Sequence, residues 1–158
     1  MFSCQDDFVE KLTLEKVEEF DSIKRAWYEA LRLESPIDMG SPAIMTEPVN
    51  IGGLQFENDL RMSMSINFMG IHTNPKEWQD PFTFNPDRFN PASKMYKRPD
   101  GGSRNPLAFT PFLGGKRVCL GKTFAEMTTK FTLPILLHYF NIKLMDKERT
   151  PLHMTSLA

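Results

Sequence analysis

The sequence predicts a mainly α-helical protein that also contains small antiparallel β-sheets, and therefore an α+β fold. Apolar residues recur at helical spacing in two stretches, one around Trp27 and one around Phe131. Between them, short segments have the spacing of strands, and a proline-rich stretch interrupts regular structure. Because 158 residues with 41% hydrophobic residues can form a core, we expect residues 1–158 to fold as a single unit.

Charge and cysteine content argue against several classes of function. The 19 Lys and Arg residues nearly balance the 20 Asp and Glu residues, so charge gives no reason to expect a nucleic-acid partner. Cys4 and Cys119 are too few for a disulfide framework and too far apart for a clustered zinc motif. The longest apolar stretch, residues 131–140, is much shorter than the roughly 20 residues that cross a bilayer. No membrane span is therefore expected within this sequence.

The first helix is expected to begin at Asp21, whose side chain can cap it, and to end at Ser35 and Pro36. Farther along, residues 49–51 precede a pair of glycines, and residues 62–66 alternate apolar with polar side chains. These segments predict a small antiparallel sheet. Repeated prolines at residues 74–105 predict an ordered meander that is held by its aromatic residues, Trp78, Phe82, Phe84 and Phe89.

A second helix is predicted from Gly121 to Tyr139, followed by a short strand from Ile142 to Met145. One face of this helix should carry its apolar residues, Phe124, Met127, Phe131 and Ile135. The histidines have no metal-ligand spacing to each other or to Cys119, so we expect packing or surface roles for all of them, His72, His138 and His153.

The most informative segment is residues 112–121, Phe-Leu-Gly-Gly-Lys-Arg-Val-Cys-Leu-Gly, directly before the second helix. Unpaired N–H groups and the positive end of the helix dipole favour a thiolate at Cys119, which makes it a candidate ligand or nucleophile. The glycines let the backbone approach a flat ligand, Arg117 offers a cation to that ligand, and Phe112 can pack beside the sulfur. Two alternatives stay open: a buried structural cysteine, and a cysteine hydrolase whose base the sequence does not locate.

Residues 112–121 resemble the haem-thiolate signature of the cytochrome P450 family, Phe-x-x-Gly-x-Arg-x-Cys-x-Gly, and agree with it at all five fixed positions. The resemblance implies that Cys119 is the axial thiolate ligand of a haem iron. It also implies that the other matched residues contact the haem; these are Phe112, Gly115, Arg117 and Gly121.

Two further motifs extend the resemblance. Glu29 and Arg32 look like the family's Glu-x-x-Arg helix motif, and residues 86–89, Pro-Asp-Arg-Phe, are similar to its Pro-Glu-Arg-Phe segment. The resemblance implies a buried network of Glu29, Arg32 and Arg88 that fixes the meander against the first helix. The expected fold is therefore the C-terminal haem-binding part of the cytochrome P450 fold, incomplete because the N-terminal part with the distal helix is absent.

For a complete enzyme, the resemblance implies a monooxygenase, an oxidoreductase that inserts one atom of dioxygen into a small, lipophilic organic substrate. Its cofactor would be haem, and its NADPH-derived electrons would arrive through a reductase or a ferredoxin-like protein. The implied docking face is a basic set around the cysteine loop, formed by Lys94, Lys97, Arg98, Lys116 and Lys122. The implied substrate contacts are Ile37, Asp38, Met39, Gly40 and Ser41.

The same resemblance leaves alternatives open. Residues 37–42 offer no basic side chain for a haem propionate, which leaves Arg117 for that role. Because family members are several times longer, the chain is interpreted as a fragment, and the alternative function is a truncated, catalytically inactive haem-binding or non-functional piece. A full-length relative can be anchored to the endoplasmic reticulum membrane, whereas this sequence shows no anchor and leaves the organelle open.

Overall fold

A computed structural model describes residues 7–40, 42–59 and 61–143. Its helices are α1 (Leu14–Glu18), α2 (Asp21–Leu33), α3 (Phe68–His72) and α4 (Lys122–Tyr139). Its strands are β1 (Ala43–Ile44), β2 (Val49–Ile51), β3 (Leu54–Phe56) and β4 (Ser63–Met64), paired antiparallel as β1 with β4 and β2 with β3. The predicted fold class, mainly α with small antiparallel sheets, is confirmed.

Helix α2 ends where the sequence predicted but begins differently. Its last residue is Leu33, just before Ser35 and Pro36, as expected for a chain approaching a proline. The prediction that Asp21 caps the helix is wrong, because Phe20 occupies the cap position and Asp21 is already helical. The Asp21 carboxylate instead forms an ion pair with Arg25 on the next turn, with its oxygen 2.9 Å from Arg25 Nε.

The two sheets are small and largely exposed. Strands β2 and β3 form a hairpin in which Gly52 and Gly53 have φ of +61° and +88°, as a tight two-residue turn requires. The alternating residues 62–66 form a shorter strand than predicted, since only β4 pairs, with Ala43 opposite Met64. Alternation alone overestimates strand length where the partner strand is only two residues long.

The meander contains two short 3₁₀ turns instead of long elements, as the prolines predicted; they are Pro86–Phe89 and Lys94–Tyr96. A third, Pro106–Ala108, follows directly after it. Trp78 is fully buried, and its ring contacts those of Phe89 and Phe109. The prediction that Phe82 and Phe84 also hold the meander is wrong, because both side chains are exposed. In this part of the meander, backbone carbonyls point inward and accept hydrogen bonds from Arg32 and Arg88, whereas the rings of Phe82 and Phe84 point outward.

A buried carboxylate lies at the centre of the fold. Glu29 on α2 is fully buried and accepts two hydrogen bonds of 2.8 Å from Arg32, one on each carboxylate oxygen. Its Oε1 atom also accepts from Arg88 Nε at 3.1 Å and from the Asn85 backbone N–H at 2.9 Å. A single carboxylate therefore joins α2 to the meander more than 50 residues away.

The remaining guanidinium donors bind backbone carbonyls. Arg32 and Arg88 are themselves buried, and burial together with the nearby Arg32 charge lowers the pKa of Arg88, while Glu29 opposes that shift. Arg88 nevertheless stays charged, because guanidinium does not lose its proton in proteins. The acceptors are the carbonyls of His72, Pro81 and Thr83 for Arg32, and of Gln79, Asp80 and Thr83 for Arg88.

The Trp78 ring lies within cation–π distance of two arginines. The guanidinium carbon of Arg32 is 5.1 Å from the ring centroid, and that of Arg104 is 3.9 Å away. Arg104 also donates to the backbone carbonyls of Arg88 and Met95, at 3.2 and 2.9 Å. Burial, followed by repulsion from Arg88 and Arg32, lowers the pKa of Arg104 to about 10. This arrangement extends the charged centre to the segment that leads into the cysteine loop.

The ring of His72 connects this centre to residue 110. His72 is fully buried at the end of α3, and its Nε2 accepts a 3.1 Å hydrogen bond from the Thr110 backbone N–H. Its own carbonyl accepts from Arg32 Nη1 at 2.8 Å. Burial and the Arg32 charge lower the pKa of His72 to about 4, so the ring is neutral near pH 7.

Helix α4 begins after Gly121 and ends at Tyr139, close to the predicted limits. Phe124, placed on the apolar face by its spacing, is 76% exposed. The predicted strand from Ile142 to Met145 is not found at Ile142 and Lys143, and its other residues lie outside the described ranges. None of the helices in those ranges combines the length and apolar character that crossing a bilayer requires.

We predict that Glu29→Ala, Arg32→Ala and Arg88→Ala each lower the free energy of unfolding by about 3 to 5 kcal/mol, since each removes at least one buried ion pair and leaves the groups that bonded to the lost side chain without that partner. Urea denaturation and soluble yield measure the effect. The matched control is Arg61→Ala, which removes the exposed Asp59–Arg61 pair and should change the free energy of unfolding by less than about 1 kcal/mol. Near-normal stability in all three variants would contradict the structural role of the network.

We also predict that His72 makes stability depend on pH. Its pKa is about 4 in the folded chain and about 6.5 when unfolded, so only the unfolded chain gains this proton between those values. The free energy of unfolding should therefore fall as pH drops from about 6.5 to about 4, by up to about 3 kcal/mol. His72→Gln should remove that contribution, measured by urea denaturation across the pH range. If the free energy of unfolding of His72→Gln depends on pH in the same way as that of the wild type, His72 is not the source of this dependence.

Candidate functional site

A cavity of about 420 Å³ lies between α2, α3, residues 111–113 and the first turns of α4. Its lining is mostly apolar and includes one thiol, that of Cys119. The residues that matter most for its chemistry are Trp27, Leu31, Phe68, Phe112, Cys119 and Phe124. A cavity of this composition suits a flat apolar ligand held by one sulfur atom.

The loop that carries Cys119 is closed on itself. The Cys119 backbone N–H donates to the Phe112 carbonyl at 2.8 Å, which joins the two ends of the loop. Within it, Gly115–Arg117 forms a 3₁₀ turn, and both Leu113 and Gly115 have left-handed backbones with φ near +60°. Leu113 carries a side chain in a conformation that favours glycine, so its surroundings must hold it there.

Cys119 lies just ahead of helix α4. The Lys122 N–H donates to the Cys119 carbonyl at 3.2 Å, and Gly121 takes the cap position without a side chain that could bind the free N–H groups. The first turn of the helix contains no acidic residue. Cys119, which is exposed, therefore precedes a helix N-terminus at which no carboxylate of the first turn competes for the free N–H groups.

The glycines of this loop leave room beside the sulfur. A Cβ atom added at Gly114 would meet nothing within 4 Å, and one added at Gly121 would meet only the Cys119 sulfur, at 3.8 Å. Gly114 and Gly121 have negative φ values, so the backbone itself does not require glycine at either position. The empty space is consistent with the close approach of a planar ligand to the sulfur.

These residues fit a haem. They offer a sulfur ligand, apolar walls, space beside the sulfur, and an exposed cation at Arg117. In the part of the chain that the structure describes, no group of three or more His, Cys, Asp or Glu residues could hold a metal ion. A lone protein sulfur suits an iron whose other ligands come largely from a macrocycle.

The structure brings together some of the expected substrate contacts. Ile37 and Gly40 line the cavity, whereas Asp38 and Met39 do not. The Asp38 carbonyl accepts the Phe68 N–H at 2.9 Å, and Met39 forms a bridge with Asn67, so both fix the segment to the start of α3. Ser41 lies outside the described residues.

The basic residues predicted to form a docking face differ in how far their charges are free to attract a partner. Arg98 pairs with the Asp100 carboxylate and lies 4.0 Å from that of Glu77, so its charge is largely compensated. The lysines of the set have exposed side chains; they are Lys94, Lys97, Lys116 and Lys122.

Several cavity residues were not predicted from the sequence. Trp27 and Leu31 were assigned only to an apolar helix face, although their i, i+4 spacing places both on the wall. The sequence did not predict a role for Phe68, because α3 has only five residues and so shows no helical periodicity. Its N-cap, Asn67, is the one local feature that marks the helix. His72 was expected to be a packing or surface residue, and its bond to Thr110 has no counterpart in local sequence.

Comparison with known proteins identifies relatives for nearly all of this sequence. The family model described as "Cytochrome P450" matches residues 7–157. Cytochrome P450 4A7 of Oryctolagus cuniculus is 36% identical over 131 residues, an alignment that covers 82% of this chain and 23% of that protein. Cytochrome P450 82A4 of Glycine max is 35% identical over 127 residues, with coverage of 80% and 23%.

Among solved structures, the retinoic acid bound cyanobacterial CYP120A1 is similar to this chain with a TM-score of 0.69 and 29% identity. The similarity covers 81% of this chain and 28% of that one. The chain thus spans about a quarter of the length of the curated relatives it matches. On the family match, the Cys119 cavity and the fold similarity, this chain belongs to the cytochrome P450 family.

Proposed function

We propose that residues 1–158 form the proximal haem-binding unit of a haem-thiolate monooxygenase, with Cys119 as the axial ligand of the iron. The observation that carries this proposal is the position of the Cys119 thiol on the wall of an apolar cavity, beside glycines that leave space next to the sulfur. In a complete enzyme the haem supplies the oxygen chemistry, to which a thiolate ligand contributes electron density that favours O–O cleavage.

The side chains around Cys119 have separate roles in this proposal. Trp27 and Phe112, whose ring centroids are 6.1 Å apart, form part of the apolar wall of the cavity that Cys119 also lines. Gly115 and Gly121 keep the loop close to the ligand, and the exposed Arg117 is the candidate partner of a haem propionate. None of these residues transfers a proton; they bind, orient and exclude solvent.

Electrons would enter at the face that carries the cysteine loop. Lys94, Lys97, Lys116 and Lys122 have exposed side chains and could attract an acidic reductase or ferredoxin-like donor of NADPH-derived electrons, with Arg98 contributing less because of its pairing with Asp100. The proposed substrate is a small, lipophilic organic molecule, consistent with the apolar cavity and with the description of the solved relative as retinoic acid bound.

A second candidate function is that of an inactive haem-binding piece. Leu120 and Phe124, one on each side of Gly121, are 101% and 76% exposed, so an apolar surface beside the thiol is uncovered within the described residues. A haem held on one side only would lose much of the burial that favours binding. Oxygen-dependent oxidation of a test substrate by this chain alone would favour the first function over the second.

The cysteine-hydrolase alternative gains no support from the described residues. The residues that line the Cys119 cavity include no histidine and no carboxylate that could act as a general base. The hydroxyls present are those of Ser35, Thr128 and Thr129, which are poor bases.

For the proposed function, we predict that Cys119→Ser removes the thiolate absorption band of the reduced carbon monoxide complex in a longer, haem-binding chain that contains these residues. Serine keeps the size of the side chain but supplies oxygen in place of sulfur. Cys4→Ser is the matched control and should leave the band unchanged. Survival of the band in Cys119→Ser would show that another group binds the iron.

A further inference from the structure

The buried ring of His72 lies between the ionic network and the cysteine loop. On one side, the His72 carbonyl accepts a 2.8 Å bond from Arg32. On the other, its Nε2 accepts the Thr110 N–H at 3.1 Å. The ring itself packs against Phe68 and Phe109, with centroid separations of 6.1 and 5.5 Å.

We propose that His72 is a positioning residue for the haem-thiolate loop, acting through the backbone N–H of Thr110. This inference rests on the proposed role of Cys119 as the iron ligand and adds a residue that sets where that ligand lies. The proposed ligand of the site remains haem. The addition is a side chain, His72, that holds the loop through a residue outside the cavity lining, Thr110.

The connection from Thr110 to Cys119 is short and stiff. Pro111 follows Thr110 and restricts the backbone on both sides of their peptide bond. Phe112 comes next, and its carbonyl accepts the Cys119 N–H at 2.8 Å. Thr110 is therefore linked to Cys119 through Pro111 and this one hydrogen bond, so a shift of Thr110 should also move Cys119. Because Leu113 is held at φ +60°, the loop also needs an external anchor to keep that conformation.

The chemistry of the ring favours this role over simple packing. With Nε2 accepting, the proton of the neutral ring is on Nδ1, and Nδ1 has no hydrogen-bond partner among the described residues. A buried donor without a partner is costly, and an apolar side chain of similar size would avoid that cost. Histidine supplies what such a residue lacks, a buried acceptor for the Thr110 N–H. The adjacent Arg32 charge favours the neutral, accepting form of the ring.

Two substitutions at His72 distinguish its role as a hydrogen-bond acceptor from its role in packing. His72→Gln keeps an acceptor at comparable reach, whereas His72→Phe keeps a flat ring and removes the acceptor. The matched control is Phe89→Leu, which perturbs the same aromatic cluster, 4.8 Å from Phe109, without touching the Thr110 bond. Stability measured for each variant by urea denaturation provides the correction for general loosening.

The first measurement is hydrogen exchange of the Thr110 amide in the 158-residue chain without haem. After correction for stability, we expect exchange about tenfold faster in His72→Phe, with near-normal rates in His72→Gln and Phe89→Leu. The second is the thiolate absorption band of the reduced carbon monoxide complex in a longer haem-binding chain. There, His72→Phe should lose part of the band, and His72→Gln should restore it.

Two results would overturn the proposal: a Thr110 amide as protected in His72→Phe as in the wild type, or equal thiolate bands in His72→Phe and His72→Gln. Failure of the proposed function has a different signature. If the wild-type protein itself shows no thiolate band, Cys119 is not the iron ligand, and the exchange measurement without haem still decides whether His72 holds Thr110.

Discussion

The position of the functional site depends on one buried carboxylate that is shared between two arginines. Glu29 is fully buried and accepts four hydrogen bonds, from Arg32, Arg88 and the Asn85 backbone. Replacing such a network with well-packed apolar groups can leave stability unchanged, whereas removing Glu29 leaves two buried guanidinium groups without their carboxylate, and removing either arginine takes one of these two ion partners from Glu29. The network therefore matters mainly for which conformation the chain adopts. It requires α2 and the meander to meet in one arrangement, because only that arrangement satisfies every donor.

The cysteine loop inherits its position from this arrangement. Arg32 binds the His72 carbonyl, the His72 ring accepts the Thr110 N–H, and the Phe112 carbonyl two residues later accepts the Cys119 N–H. The same helix that carries Glu29 presents Trp27 and Leu31 to the cavity, so the charged centre and the apolar wall lie on one rigid element. If Cys119 binds a metal as proposed, this support helps to set its orientation, because residues 114–121 are exposed.

The sequence predicted those parts of the structure that depend on neighbouring residues. Helix spacing placed α2 and α4 within a few residues, and proline density predicted the meander. Residues 112–121 predicted the cysteine that lines the cavity, because all the residues of that motif lie within one short segment of the sequence. Features that depend on competition between partners or on distant partners were not predictable. Asp21 was assigned as a cap, although its side chain pairs with Arg25 on the next turn. Phe82 was placed inside, although the neighbouring Pro81 carbonyl points inward to Arg32 and the Phe82 ring is exposed. His72 looked unremarkable because its partner is 38 residues away.

The claim that one shared carboxylate fixes this arrangement is tested most directly by a double-mutant cycle on Glu29→Gln and Arg88→Met, with free energies of unfolding measured by urea denaturation. Glu29→Gln leaves Arg88 buried without its carboxylate, and Arg88→Met leaves Glu29 paired with Arg32 but not with Arg88, whereas the double variant removes both members of the Glu29–Arg88 pair. The double variant should therefore lose less stability than the sum of the two single losses, by about 1.5 to 3 kcal/mol. Additive losses, within about 0.5 kcal/mol, would show that Glu29 and Arg88 act independently and would contradict the central role of the network.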